Sequence, residues 1–287
     1  VVSATEYLTE VDRFAEFLGR SLDAILNSPA REMHSPSEMS RRASFHDPAY
    51  SMEPVNSSNT FISYYTYGAM LGAGLDLTLR TRFPGRDLDQ YMRLLWNRFG
   101  SAEKPYTAAD LKAALADLTE DPEFARDFFA QHIDGTQPID YAPLLEQAGF
   151  VPRKTNPNSA WLGPVSWKIE QGRLTLAART RRGTPLYEAG MDIGAQLVSI
   201  DREKPGSEKE LARLLKKKKP GDRVEIRFER RGVARTASLQ LSQDPALEVV
   251  PFEKLHRELS PEVRKLREEW LASKAGGELP SLTRYCP

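Results

Sequence analysis

Apolar residues recur at spacings of three and four through Tyr7, Leu8, Val11, Phe14, Leu18, Leu22, Ile25 and Leu26. This is one stripe on a helix of roughly six or seven turns. Ser3-Ala4-Thr5-Glu6 has the form of a capping box at its start, and Asn27-Ser28-Pro29 stops it. Residues 29–57 break the pattern. They hold four prolines, many serines and two histidines with little periodicity, so an irregular segment wrapping the domain is expected. A second long helix is predicted from Asn59 to Arg82, with Met70, Leu71, Leu75 and Leu79 as its apolar face and Pro84-Gly85 beyond its end. Asp87 caps a further helix, with Tyr91, Leu94, Leu95 and Trp96 as core candidates. Others start at Thr107 and at Asp121-Pro122. A short one spans Asp140 to Ala148, and Gly149 is its expected left-handed cap.

After Pro152 the period falls towards two, following a polar linker from Lys154 to Ser159. Strands are predicted at Leu174–Ala177, Leu197–Ile200, Val224–Phe228 and Ala237–Leu241, with helical pieces at Pro185–Ala189 and Ser207–Lys218. A last capped helix runs from Ser260 to Leu271, and the residues after Gly276-Gly277 read as poorly ordered. The expected fold class is α+β in two domains. An all-α subdomain covers 1–152, a small β-barrel-like domain covers 153–250, and a helix and tail cover 251–287.

Composition narrows the function classes. Forty basic and forty acidic residues cancel in a chain of 287. No global field therefore favours nucleic acid or an anionic membrane. No apolar run reaches the length of a membrane span. Lys216-Lys217-Lys218-Lys219 is the one basic run, placed to favour the end of a helix. The single cysteine, Cys286, allows no internal disulfide and no cysteine-rich metal site, and it leaves the compartment open.

Residues 158–250 resemble a bacterial, circularly permuted PDZ domain. Trp161-Leu162-Gly163 stands at the position of the family's carboxylate-binding loop. Gly183-Thr184-Pro185-Leu186-Tyr187-Glu188-Ala189-Gly190-Met191 is similar to its short helix. Asp192 to Asp201 is similar to the strand that follows, and Lys219-Pro220-Gly221-Asp222-Arg223-Val224 to the approach to the next strand. The resemblance implies β-augmentation. A peptide would add as a strand beside Val165–Ile169, its terminal carboxylate on the amides of Leu162 and Gly163. Its side chain would lie against Leu211, Leu214 and Leu215. The occupant would be either a free C-terminal peptide or an intramolecular segment that only docks there.

The helical half resembles the glycyl aminopeptidase family of bacterial zinc metallopeptidases, in which a thermolysin-like catalytic domain precedes a C-terminal PDZ domain. Ile62-Ser63-Tyr64-Tyr65-Thr66-Tyr67-Gly68 and Leu75-Asp76-Leu77-Thr78-Leu79-Arg80 carry the likeness, and Leu266 to Leu271 is similar to the family's ending. Tyr67 stands where relatives often have lysine. By this resemblance Tyr65, three residues before Gly68, would donate a hydrogen bond to the oxyanion, with Tyr64 as the competing choice. Family members bind zinc through His-Glu-x-x-His and a later glutamate. Here His34, His46, His132 and His256 form no such motif. The resemblance places the zinc ligands upstream of Val1, so the chain is expected to be the C-terminal fragment of a zinc-dependent aminopeptidase acting on small N-terminal residues such as glycine or alanine. The fragment alone is expected to bind no zinc and to be inactive. The alternative is a non-catalytic PDZ module that binds peptides or acts as a scaffold.

Overall fold

The computed structural model describes residues 4–49 and 56–272. Helix α1, Ala4–Leu26, buries Val11, Leu18, Leu22 and Ile25 of the predicted stripe together with Ala15, and packs Phe14 and Leu26 half-buried against the same core; the side chains of Tyr7 and Leu8 lie outside the described residues. The expected cap at Ser3 lies outside the described residues. The segment expected to be irregular is instead largely helical. Pro29–Glu32 forms a 3-10 turn and Pro36–Ala49 forms α2. Ser35 and Glu38 explain the start of α2. The Ser35 amide donates to Glu38 Oε2 at 2.9 Å, and the Glu38 amide donates to Ser35 Oγ at 3.2 Å. This reciprocal box satisfies two amides that a helix start leaves without intrahelical partners. Met39 then anchors α2 in the core.

The helix predicted from Asn59 to Arg82 is two helices. α3 covers Ser57–Thr60 and α4 covers Tyr64–Arg82, with Phe61 extended at the break. Ile62 is buried there. The chain leaves α3 to sink this side chain into the core, and helical hydrogen bonding resumes with the Tyr67 amide on Ser63 O at 2.9 Å.

Four more helices complete the α-rich part: α5, Leu88–Leu95; α6, Ala108–Thr119; α7, Pro122–Phe128; and α8, Tyr141–Gln147. Asp87, Thr107 and Asp121 each cap as their sequence suggests. Trp96 is not a core residue. It is 64% exposed in a π-helical turn, Trp96–Gly100, where its ring covers Gly100. Asp76 and Arg80 pair at 3.1 Å on α4, as i, i+4 spacing allows, but they do so largely out of solvent. Asp76 Oδ1 also accepts the Leu88 amide at 2.8 Å, which ties the start of α5 to α4.

Strand β1, Phe150–Lys154, pairs antiparallel with β9, Leu247–Pro251. β9 lies against α1 at Gly19, where a Cβ would come within 2.9 Å of the Val249 nitrogen. Glycine permits that approach. Between β1 and β9, β2 (Ala160–Trp161) pairs with β8 (Ser242–Gln243). A five-stranded antiparallel sheet follows the order β3-β4-β5-β6-β7. These strands are Trp167–Glu170, Arg173–Leu176, Gln196–Ile200, Arg223–Arg230 and Val233–Gln240. The strand expected at Val165–Ile169 is thus two residues shorter at its start. β6 alternates, with Val224, Ile226 and Phe228 buried between exposed neighbours. Helices α9, Pro185–Glu188, and α10, Glu208–Leu215, cover this sheet's core.

Two cores result. One gathers the helices and takes in Phe150 and Val249. The other runs from Leu162 to Leu241. α11, Pro261–Leu271, returns to the first core. Trp270 packs edge-on against Phe14 and Phe150, with centroids 5.1 and 6.2 Å away. The predicted tail after Gly276, with Cys286, lies outside the described residues.

Candidate functional site

Tyr64 and Tyr65 occupy the first turn of α4, their ring centroids 4.3 Å apart and tilted by 34°. Such contact orients both rings at little entropic cost. Tyr65 is 73% exposed. Gly68, one turn on, is also exposed, and a Cβ there would meet nothing within 4 Å. Tyr65 therefore stands over open space, while Tyr64 is half-buried. Tyr67 behaves differently. It is buried in the helical core, and burial raises its pKa against the opposing influence of Arg31.

The Trp161–Leu162–Gly163 loop opens the sheet-rich part. Trp161 ends β2 opposite Ser242. Leu162 is buried in the second core together with Leu211 of α10, and Leu214 and Leu215 pack against that core half-buried. Gly163 has φ of 125°, outside the range most residues tolerate, and a Cβ would lie 3.0 Å from Thr184. The Leu162 carbonyl accepts the Leu186 amide at 3.1 Å. Among the described residues, no acceptor is found for the amides of Leu162 or Gly163. β3 forms one edge of the five-stranded sheet, with Ile169 62% and Val165 37% exposed beside it.

The structure thus brings Leu162, Leu211, Leu214 and Leu215 together in the second core, while Tyr64 and Tyr65 stand on α4, whose buried apolar residues belong to the first. What joins the two parts is Asn59, which the pattern reading took only as the start of a helix. Its side chain is buried and hydrogen-bonded to the backbone of Thr180 and Arg182. Nothing local to Asn59 signals this, because its partners lie more than a hundred residues away. A second bridge runs from Arg181 Nη1 to the Asn27 carbonyl at 3.3 Å. Burial lowers the Arg181 pKa against the attraction of Asp23.

Among the described residues, no group of three or more His, Cys, Asp or Glu lies placed to hold a metal ion. His34 lies 3.6 Å from Glu38, His132 Nδ1 lies 2.8 Å from the Gln137 carbonyl, and His256 ends a 3-10 turn. His46 falls within α2 rather than in an irregular loop. No helix is long and apolar enough to cross a membrane, among the described residues.

No protein-family model matches the chain, and no curated protein sequence does. Solved structures do. An aminopeptidase N family protein from Idiomarina loihiensis aligns over 91% of this chain with a TM-score of 0.70 and 21% identity. This chain is built like that protein over nearly its whole length. It spans only 44% of that protein, and at such identity the likeness is one of fold. An HtrA-type protease solved with a decapeptide aligns over 31% of this chain at 18% identity and a TM-score of 0.29, covering 30% of its own length. A serine endoprotease from Yersinia pestis aligns over 30% of each chain at 13% identity and a TM-score of 0.27. Those two likenesses are too slight to carry an argument.

Proposed function

We propose that this chain forms the C-terminal part of a zinc-dependent aminopeptidase, in which Tyr65 stabilises the oxyanion. The observation that carries the reading is the exposed Tyr65 phenol, in tilted ring contact with Tyr64 and one turn before the uncovered Gly68. It stands in a fold shared with an aminopeptidase N family protein. When water attacks a peptide carbonyl, the carbonyl oxygen becomes an anion. A neutral phenol donates a hydrogen bond to that oxygen and keeps its own proton. Tyr64, half-buried under Tyr65, is the competing donor. The resemblance to glycyl aminopeptidases makes small N-terminal residues the substrate class. By the resemblance, the zinc of such an enzyme would be held by a His-Glu-x-x-His motif and a later glutamate that this sequence does not contain.

The test is turnover of glycyl and alanyl anilides by the natural protein that carries this chain, beside its Tyr65→Phe variant. Loss of one oxyanion donor lowers kcat by about 100- to 1,000-fold. An unchanged kcat in Tyr65→Phe with loss in Tyr64→Phe would hand the role to Tyr64. The 287-residue chain alone is expected to hydrolyse neither substrate, and EDTA-sensitive turnover by it would overturn this assignment of the zinc site.

The second reading, a PDZ-like peptide-binding module, is favoured by the Leu162 and Gly163 amides, for which no acceptor is found among the described residues, and by the edge strand β3. A peptide strand would bond to β3 and place its carboxylate on those amides, its last side chain towards Leu211, Leu214 and Leu215. Titration of the chain with a diverse set of C-terminal peptides tests this, and absence of binding across the set would count against it.

A further inference from the structure

We infer that Asn59 is a positioning residue for the Tyr64–Tyr65 turn and couples it to the Leu162–Gly163 loop. The functions assigned to the two ends rest on the reading above, but the coupling does not.

The contacts form an unbroken series. Gly163 approaches Thr184 so closely that a Cβ would sit 3.0 Å from both its Cβ and its Oγ1. Thr184 is itself buried, and its hydroxyl donates to the Arg181 carbonyl at 2.6 Å. Its amide donates to the same carbonyl at 3.2 Å. The next residue, Arg182, donates its amide to Asn59 Oδ1 at 2.8 Å. Asn59 Nδ2 returns a bond to the Thr180 carbonyl at 3.2 Å and gives another to Asn56 Oδ1 at 3.1 Å. Thr180 is pinned in turn, its hydroxyl on the Met191 carbonyl at 2.7 Å.

Asn59 thus uses both amide hydrogens and its carbonyl oxygen. If the 180–184 backbone moved while Asn59 stayed, buried polar groups on both sides would lose their partners, which is costly. Motion of that backbone is therefore passed to Asn59 rather than absorbed. From Asn59 the chain reaches Tyr64 in five residues, through the α3 cap at Phe61 and the buried Ile62. An open pocket of about 440 Å³ has Leu26, Asn27, Ser28, Arg182, Gly183 and Tyr187 in its lining, so the 182–183 backbone borders solvent. A ligand that displaces the Leu162–Gly163 loop would bias the tyrosine turn, and by linkage a ligand at the tyrosine turn would bias the loop.

The experiment labels the chain with 3-fluorotyrosine and assigns the Tyr64 and Tyr65 fluorine resonances through Tyr64→Phe and Tyr65→Phe. Gly163→Ala pushes on Thr184 directly, and Thr184→Val removes its hydroxyl bond at constant shape. Either change is expected to shift the Tyr64 or Tyr65 resonance, and the shift is expected to vanish when Asn59→Ala is added. Resonances that stay put in both variants, or that shift equally with Asn59 replaced, overturn the inference. Thr184→Val keeps the test open if Gly163→Ala does not fold. Titration of the labelled chain with a peptide ending in an apolar residue and a free carboxylate separates the two claims. Binding without a tyrosine response overturns the coupling. A response to Thr184→Val with no peptide binding supports the coupling and sinks the peptide-binding reading.

Discussion

Asn59 Oδ1 accepts the Arg182 amide at 2.8 Å while its Nδ2 donates to the Thr180 carbonyl at 3.2 Å, so this buried side chain bridges the two parts beside the Arg181–Asn27 bond. Asn59→Ala strands a backbone donor and a buried acceptor, at a cost of about 1–3 kcal/mol. Because the loss falls on the junction, the two cores are expected to unfold less cooperatively. Calorimetry is expected to resolve a split or broadened transition in the variant. A single sharp transition at the original Tm would contradict this.

Arg267 is the largest fully buried side chain among the described residues, and it holds α11 in place. Its guanidinium donates to the carbonyls of Ala148 and Gly149 and to Glu253, and it lies 4.7 Å from the Phe150 ring centroid. Gly149 has φ of 78° and no room for a Cβ, which would fall 2.3 Å from Arg267 Nη2. Arg267→Met takes the guanidinium donor from the Ala148 carbonyl and the Glu253 carboxylate, while the Gly149 carbonyl keeps the Phe252 amide at 2.9 Å. A loss of at least about 3 kcal/mol is expected, read from the urea midpoint, with faster amide exchange across 261–271. Exchange unchanged in α11 would show that Trp270 alone docks this helix.

Asp76 supports two elements at once, through Arg80 and the Leu88 amide. Asp76→Ala is expected to cost about 1–3 kcal/mol. Asp76→Asn keeps an acceptor oxygen and is expected to cost less. Thermal melts of the two variants check the order, and equal costs would mean that the charge, which both variants lose, rather than the hydrogen bonds matters.

Tyr91 donates its hydroxyl to the Leu111 carbonyl at 2.8 Å, tying α5 to α6. Burial, with a smaller contribution from Tyr106, pushes its pKa from 10.0 up to about 12. The folded state thus holds this proton more tightly than the unfolded chain. The stability it contributes is fully present below pH 10 and is lost as pH rises from 10 towards 12. Tyr141 is shifted in the same direction by burial. Stability is expected to fall on that alkaline limb, and Tyr91→Phe is expected to flatten it. A wild-type midpoint constant between pH 9.5 and 11.5, roughly the window of ordinary phenol titration, would refute the account.

Local order was legible wherever its cause is local. The α1 stripe, the caps at Asp87, Thr107 and Asp121 and the alternation of β6 all depend on neighbours a few positions apart. Helix α2 escaped because its composition carries little apolar periodicity. Its one strong signal, the Ser35–Glu38 box, sits inside a proline- and serine-rich run. Trp96 fits the apolar side of a helix by spacing, but it stands at the start of a π-helical turn with its ring against Gly100 and largely in solvent.

By itself, then, the sequence determined most of the helices and the strands β4 to β7, though not α2, β1 or β9, and it marked Tyr64, Tyr65 and the Trp161–Gly163 loop for attention. Tertiary structure alone decided that Tyr65 faces open space while Tyr67, two residues on, is buried. It also decided that β1 pairs with β9 across the whole intervening domain, and that Asn59 clamps the 180–182 backbone. The physical reason is range. Caps and periodicity act within a turn or a pleat, where every partner is fixed by covalent proximity. Burial and long-range pairing depend on which surfaces the packed chain brings together, and no local pattern encodes that.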